Sequence, residues 1–170
     1  MEGNPDESMN ANLIGQHLFP PGSAKAITLV EGQDDAAAAW VLLGSRYPVV
    51  SVLCTGSALH DVTRNYEYLD SFDEVVIAFD KDEAKIAPAT GEKRYPGQEA
   101  AKKVAELFRP GKCRILTLKE AKDSNDYLRK GAAKQFIDEW WKAPKFMPDG
   151  IILGTDMWEA ISNRPKHFQV

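Results

Sequence analysis

The stretch Glu74–Ala84, "EVVIAFDKDEA", decides how the rest of the chain is read. Val75 to Phe79 is an unbroken apolar run of strand length, the pattern of a strand buried on both faces. Asp80, Lys81, Asp82 and Glu83 follow at once, with no turn residue between. Carboxylates on alternate residues repel each other unless positive charge lies between them. That charge can come from solvent ions, a neighbouring lysine or a metal ion. A strand covered on both faces also needs helices above and below it, so strands and helices should alternate along the flanking sequence.

They do. "AITLVEG" (Ala26–Gly32) reads as a strand, and "DDAAAAWVLLGS" (Asp34–Ser45) as a helix closing near Gly44. "PVVSVLC" (Pro48–Cys54) is a second strand, followed by a mostly helical "TGSALHDVTRNYEYLDSF". After the third strand, "GQEAAKKVAELFRPG" (Gly97–Gly111) is a helix ended by Pro110 and Gly111. "CRILTLK" (Cys113–Lys119) is a fourth strand, and short helices are predicted near Ser124–Lys130 and Ala132–Lys142. The predicted fold class is α/β, with about four parallel strands covered by helices on both faces. The segment between Glu83 and Gly97 is read as an irregular insertion.

The predicted boundaries are a flexible tail over 1–12, the main domain over 13–130, and a terminal helix with linker over 131–170. Trp140 and Trp141, with Phe136 and Ile137, read as the apolar face of that terminal helix. Lys102, Lys103, Arg109, Lys112 and Arg114 read as a solvated basic face.

Composition narrows the options. The chain has 170 residues, 44% of them hydrophobic, and a net charge of −4, which is globular and unlike a wholly basic nucleic-acid coat protein. Two cysteines are too few for a zinc ribbon or a disulfide framework. No apolar run approaches the ~18 residues of a membrane span. A reducing, cytoplasmic setting without membrane partners is the expectation.

The acids gather where an open parallel sheet binds ligands, at the carboxyl ends of its strands. Glu31 ends the first strand, Asp34 and Asp35 open its helix, and Asp80 and Asp82 end the third. Asp123 and Asp126 follow the fourth. Helix capping and the helix dipole account for acids such as Asp34, Asp35 and Asp126. They account less well for Glu31, Asp80 and Asp82, which sit at strand ends. The residues alone leave capping and metal binding both open. A hard ion such as Mg²⁺ suits a set of carboxylates.

A strand ending in "EG" with "DxD" after a later strand resembles the Toprim domain, shared by primases, topoisomerases and several nucleases. The ordered set "LIGQHLF", "VEGQDDA", "YPVVSV", "NYEYLDSFDEVVIAFDKDEA", "KDSNDYL" and "PDGI" is similar to phage-type primase–helicases, of which the mitochondrial helicase Twinkle is a relative. The resemblance implies catalytic roles for Glu31, Asp80 and Asp82. It implies a Mg²⁺ (or Mn²⁺) site of Glu31, Asp80, Asp82 and Asp123, backed by Asp35 and Asp126. The implied reaction is nucleotidyl transfer. A nucleotide 3′-hydroxyl attacks the α-phosphate of a nucleoside triphosphate, pyrophosphate leaves, and short primers form on a single-stranded DNA template. The implied partners are that template, nucleoside triphosphates and a helicase domain of the same or another chain. The setting, for a bacteriophage protein, is the bacterial host cell. His60, Lys85 and Lys122 are candidates for phosphate contacts.

Some positions depart from the family pattern. Family members carry lysines shortly after the second strand, where this chain has "SALHDV". The usual "DEAG" is interrupted by the insertion, with Gly97 as the displaced glycine. Two alternatives stand beside the primase reading: a stand-alone Toprim metal-dependent nuclease, and a catalytically degenerate DNA-binding or docking module. A receiver-like phosphoacceptor is disfavoured because the first strand ends in Glu31–Gly32 and not in an acidic pair.

Overall fold

The computed structural model describes residues 12–86 and 91–151, with Gly154, Met157, Trp158 and Ser162 beyond them. The expected tail up to residue 11, residues 87–90 of the expected insertion and most of the expected linker lie outside the described residues.

Strand β1 (Ala26–Val30) leads to helix α1 (Gln33–Leu42) and strand β2 (Val49–Ser51). Helices α2 (Ala58–Arg64) and α3 (Tyr66–Asp70) precede β3 (Glu74–Ile77). Two short strands follow, β4 (Lys85–Ile86) and β5 (Lys93–Arg94). Helix α4 (Pro96–Ala105), strand β6 (Cys113–Ile115) and helices α5 (Ser124–Arg129) and α6 (Ala133–Lys142) complete the order. The main sheet runs β2–β1–β3–β6, and all three of its pairings are parallel. The fold is α/β with a four-stranded parallel core flanked by helices, as the alternating pattern predicts.

Alternation along β1 divides the core into two layers. Ile27 and Leu29 join Val50, Val75, Ile77, Val62, Leu69 and Val104 on the face covered by α2, α3 and α4. Ala26 and Val30 join Val76, Ala39, Leu42, Tyr127, Phe136 and Trp140 on the face covered by α1, α5 and α6. Successive side chains of a strand point to opposite faces, so one apolar run feeds both layers. Helix α1 carries the small residues Ala36, Ala38 and Ala39 on its buried side, which lets it lie close to the sheet.

Three sequence expectations are corrected by packing. Lys112 and Arg114 are buried rather than part of a solvated face. The Lys112 ammonium donates to the Asp70 and Phe72 carbonyls and pairs with the Asp70 carboxylate. Arg114 donates to the Trp140 carbonyl, pairs with Glu74 at 3.1 Å and lies over the Trp140 ring. The periodicity of the preceding helix suggested a basic face, but both residues lie beyond its end, flanking or within β6. The apolar face of α6 splits as well. Phe136 and Trp140 are buried and the Trp140 indole donates to Thr28 Oγ1, whereas Trp141 is 58% exposed. Finally, the insertion is not wholly irregular: Lys85–Ile86 pairs antiparallel with Lys93–Arg94. The Arg94 guanidinium bridges this hairpin to Glu99 on α4.

The sheet order sets up the binding edge. From β1 the chain moves to β2 on one side, then returns to place β3 on the other. The switch point therefore lies between β1 and β3, where open α/β sheets leave a crevice at the carboxyl ends of the strands.

Candidate metal centre

Glu31 and Asp80 leave the sheet side by side at this switch point, as the sequence predicts for adjacent first and third strands. The Ala78 amide donates to the Leu29 carbonyl at 2.8 Å, extending the ladder beyond the assigned strand. Glu31 then bridges three segments. Its Oε1 accepts from the Asp80 amide at 3.0 Å, and its Oε2 accepts from the Thr55 hydroxyl in the loop after β2. Burial, more than its acidic neighbours, pushes the Glu31 carboxyl up.

Asp35, Asp80 and Asp123 converge. Each offers a carboxylate oxygen, and the three oxygens lie within 4.8 Å of one another. The placement comes from two helix N-termini and one strand end. Asp35 sits in the first turn of α1, and its Oδ1 accepts from the Asn125 amide at 3.2 Å. Asp123 is the N-cap of α5, with Oδ1 accepting from the Asp126 amide at 2.7 Å. Asp80 follows β3, and its Oδ2 meets the Lys122 ammonium at 3.2 Å. Helix capping and clustering are therefore not alternatives here. The amide fixes one oxygen of Asp35 and of Asp123 while the carboxylate still faces its neighbours.

The other predicted ligands fall to one side. The Asp82 Oδ2 accepts from the Gly97 amide at 2.7 Å. Glu31 Oε1, Asp82 Oδ2 and the Asp80 carbonyl all close on Gly97, where a Cβ would meet them at 2.8, 3.2 and 2.6 Å. The structure thus brings Asp35, Asp80 and Asp123 together and places Glu31 and Asp82 around Gly97, with Asp80 shared between the groups. Asp126 lends its amide to Asp123, and its carboxylate is not in the three-acid cluster. His60 lies on α2, 3.6 Å from Asp61 Oδ1, and does not enter the cluster. Lys85 lines an open groove beside Asp82 together with Lys81, Lys119 and Lys122.

The donor set fits a hard divalent ion. Two full charges within 4.8 Å of each other repel by at least about 3 kcal/mol at an effective dielectric of ~20. Among the described residues, three such carboxylates share one direct ammonium contact, from Lys122. The shortfall is expressed at Asp35, whose carboxyl is pushed up to about 6 by burial, then by Asp123, Asp80 and Asp34, against the Asn125 amide. Asp80 is also raised, mainly by burial and against the pull of Lys122. Oxygen donors at this spacing suit Mg²⁺ or Mn²⁺.

A pH dependence follows. An acid raised from 3.8 to about 6 on folding contributes stability that is complete below the unfolded value and lost as pH rises through the folded one. In chelator, thermal stability should therefore gain an Asp35 contribution on going from pH 7 to below about pH 4. Asp35→Asn should flatten that part of the profile. An unchanged slope in melts from pH 4 to 7 would refute the assignment.

Three positioning residues escaped sequence reasoning. Thr55 holds Glu31 from the "CTGS" turn. Asp61 is buried, accepts from the Leu53 amide at 3.0 Å and the Ser57 hydroxyl at 2.7 Å, and fixes that same turn. The Ser57–Asp61 spacing of four residues on a short helix was the available signal. Tyr127 is fully buried, and its hydroxyl accepts from the Lys119 and Glu120 amides at 2.9 Å and donates to Glu139. It thereby pins the loop that carries Lys122 and Asp123. Tyr127→Phe leaves the Glu120 amide without that acceptor and the Lys119 amide with only Glu139 Oε2 at 3.3 Å, and should cost about 1–3 kcal/mol in urea unfolding, with amide exchange accelerated most at Glu120.

The Toprim-domain family profile matches residues 26–134. A DNA helicase/primase of Enterobacteria phage T3 is 32% identical over 150 residues, covering 88% of this chain and 24% of that protein. The chain thus spans about a quarter of the length of this curated relative. A chain from the structure of the bacteriophage T7 lagging-strand DNA polymerase interacting with primase domains bound to an RNA/DNA hybrid and dTTP is 29% identical. Its TM-score is 0.65, over 79% of this chain and 61% of that one. The primase fragment of the bacteriophage T7 primase–helicase protein is 28% identical, with a TM-score of 0.61, over 74% and 47% of the two chains. Among the described residues, no helix is long and apolar enough to cross a membrane. The chain belongs to the Toprim-domain family, and within it is homologous to the phage-type primase–helicases.

Proposed function

We propose that this chain is the catalytic Toprim part of a DNA primase of the primase–helicase type, forming short primers on single-stranded DNA. One observation carries the reading. Asp35, Asp80 and Asp123 converge at the sheet's switch point in a chain homologous to phage primases. Asp35, Asp80 and Asp123 would hold Mg²⁺ or Mn²⁺, with Glu31 and Asp82 beside them. A bound divalent ion would lower the pKa of the attacking 3′-hydroxyl and stabilise charge on the phosphate.

The chain's own residues do the positioning. Glu31 fixes the end of β3 through the Asp80 amide. Asp82 ties the same loop to the start of α4 through Gly97. The groove lined by Lys81, Lys85, Lys119 and Lys122, and also by Asp82, Glu83 and Glu120, offers ammonium groups among its acids for triphosphate or template phosphates, which dominate non-specific affinity for nucleic acid. The proposed partners are the single-stranded template, nucleoside triphosphates and a helicase domain reached through the segment after α6. The setting is the host cytoplasm.

The test is incorporation of labelled nucleotide onto a short oligonucleotide annealed to single-stranded DNA, in the presence of Mn²⁺. Metal-dependent incorporation lost in Asp80→Asn supports the reading. Metal-dependent DNA cleavage without incorporation would replace it with a nuclease. Primer synthesis from free nucleotides should be weak, because these residues provide little surface to grip a template. Robust synthesis by this chain alone would sink that expectation.

A further inference from the structure

We propose that Lys122 is a displaceable counter-ion that occupies the cation's place on Asp80 until a divalent ion arrives. The inference rests on the metal-site reading above and assigns to Lys122 a role besides the phosphate contact proposed there.

The two halves of this residue are held very differently. Its backbone is fixed: the Lys122 carbonyl accepts from the Lys81 amide at 2.8 Å, joining the loop after β6 to the loop after β3. The next residue, Asp123, caps α5 and is fixed in turn. Lys81 adds a second tie through its ammonium to the Lys119 carbonyl at 3.3 Å. The Lys122 head, by contrast, is 56% exposed, while the Asp80 carboxylate that it meets is 19% exposed. A long, solvated side chain on a rigid anchor leaves its partner at little cost, because exposed ion pairs contribute little net stability. The open groove beside Asp82 gives the ammonium somewhere to go.

Asp80 is the acid for which this matters most. It belongs to the three-carboxylate cluster, and its backbone is gripped by Glu31 and approached by α4 at Gly97. A divalent ion binding there must take the oxygen that Lys122 holds, or accept a cation a few ångströms away. Either way, the lysine opposes entry. Its presence also lets the acidic cluster fold without a metal, since one of its charges is already matched. Lys119 lines the same groove, but among the described residues the contacts it makes are through its backbone and not its ammonium. It therefore serves as a control of equal charge.

The experiment is a calorimetric titration of the chain with Mn²⁺ alone, comparing wild type, Lys122→Met, Lys119→Met and Asp80→Asn. Both lysine substitutions are at exposed side chains and preserve the stem length, so folding should be retained, and circular dichroism would verify it. Lys122→Met should tighten Mn²⁺ binding by about three- to fivefold, the upper part of the range for a lost exposed ion-pair competitor. Lys119→Met should change it by less than about twofold, as expected for a screened, non-contacting charge. A merely structural Lys122 would weaken binding or leave it unchanged, and either outcome overturns the proposal. Equal tightening in both lysine variants also overturns it, because net charge would then explain the gain. If wild type binds and Lys122→Met matches it, the metal site stands and only this inference falls. If none of the four proteins binds Mn²⁺, the metal site itself is wrong and the inference falls with it.

Discussion

Asp80→Asn should abolish divalent-ion binding and reduce nucleotidyl transfer by about 100-fold or more, the scale of losing a metal that supplies several kcal/mol of charge stabilisation. The fold should survive. Asn keeps the volume of Asp and leaves the Asp80 amide free to donate to Glu31 as before. It removes one of three mutually repelling carboxylates, and the Lys122 ammonium left without its partner is solvated. In chelator, the variant should therefore melt at or slightly above the wild-type temperature. Calorimetry with Mn²⁺ and a thermal melt in chelator separate the two effects. Wild-type ion affinity in Asp80→Asn would sink the site assignment. A large loss of stability would show that Asp80 matters to folding in a way this geometry does not contain.

Gly97→Ala should have the largest structural effect of any glycine-to-alanine change among the described residues. The new Cβ would sit 2.6 Å from the Asp80 carbonyl oxygen, 2.8 Å from Glu31 Oε1 and 3.2 Å from Asp82 Oδ2. The nearest of these is backbone and cannot rotate away, and the Asp82 amide already binds the same carbonyl at 3.0 Å. Helix α4 cannot easily retreat, because Ala101 and Val104 are packed in the core. Relief must come from moving the Asp80 loop or the whole helix. The expected cost is about 2–3 kcal/mol, in the range for overpacking a tight site, and Mn²⁺ affinity should fall as well. Gly56→Ala is the contrast. Its Cβ would meet only the Cys54 Sγ, at 3.9 Å, so stability should change by no more than about 0.5 kcal/mol. Urea unfolding of the two variants side by side decides the matter. Similar behaviour would mean that the crowding at Gly97 relaxes freely.

Much of the site was legible because it follows from chain direction. Apolar runs of strand length alternating with helices specify a parallel sheet, and in such a sheet the residue after each strand lies on one edge. Glu31, Asp80 and Asp123 could be placed there from their positions alone. Adjacency of β1 and β3 was the one topological condition, and the observed strand order meets it. Asp35 was legible as a supporting acid, but its full membership in the cluster was not. Its position in the first turn of α1 explains it equally well as a capping acid. Only the approach of α5, through the Asn125 amide, turns it toward Asp80 and Asp123.

What the sequence determined by itself is the α/β architecture, the edge that carries the acids and the membership of a family, because these depend on local periodicity and on motifs in order. The tertiary structure decided which carboxylates meet, which cations are spent on the core and how closely α4 presses on the acidic loop. Lys112 and Arg114 read as surface charges until the carbonyls of Asp70, Phe72 and Trp140 came within reach. That the Lys122 ammonium meets Asp80 was likewise not legible from its position. Each of these outcomes turns on a distance between residues far apart in the chain. Electrostatic and steric energies change steeply over a single ångström, which no pattern of residue types encodes.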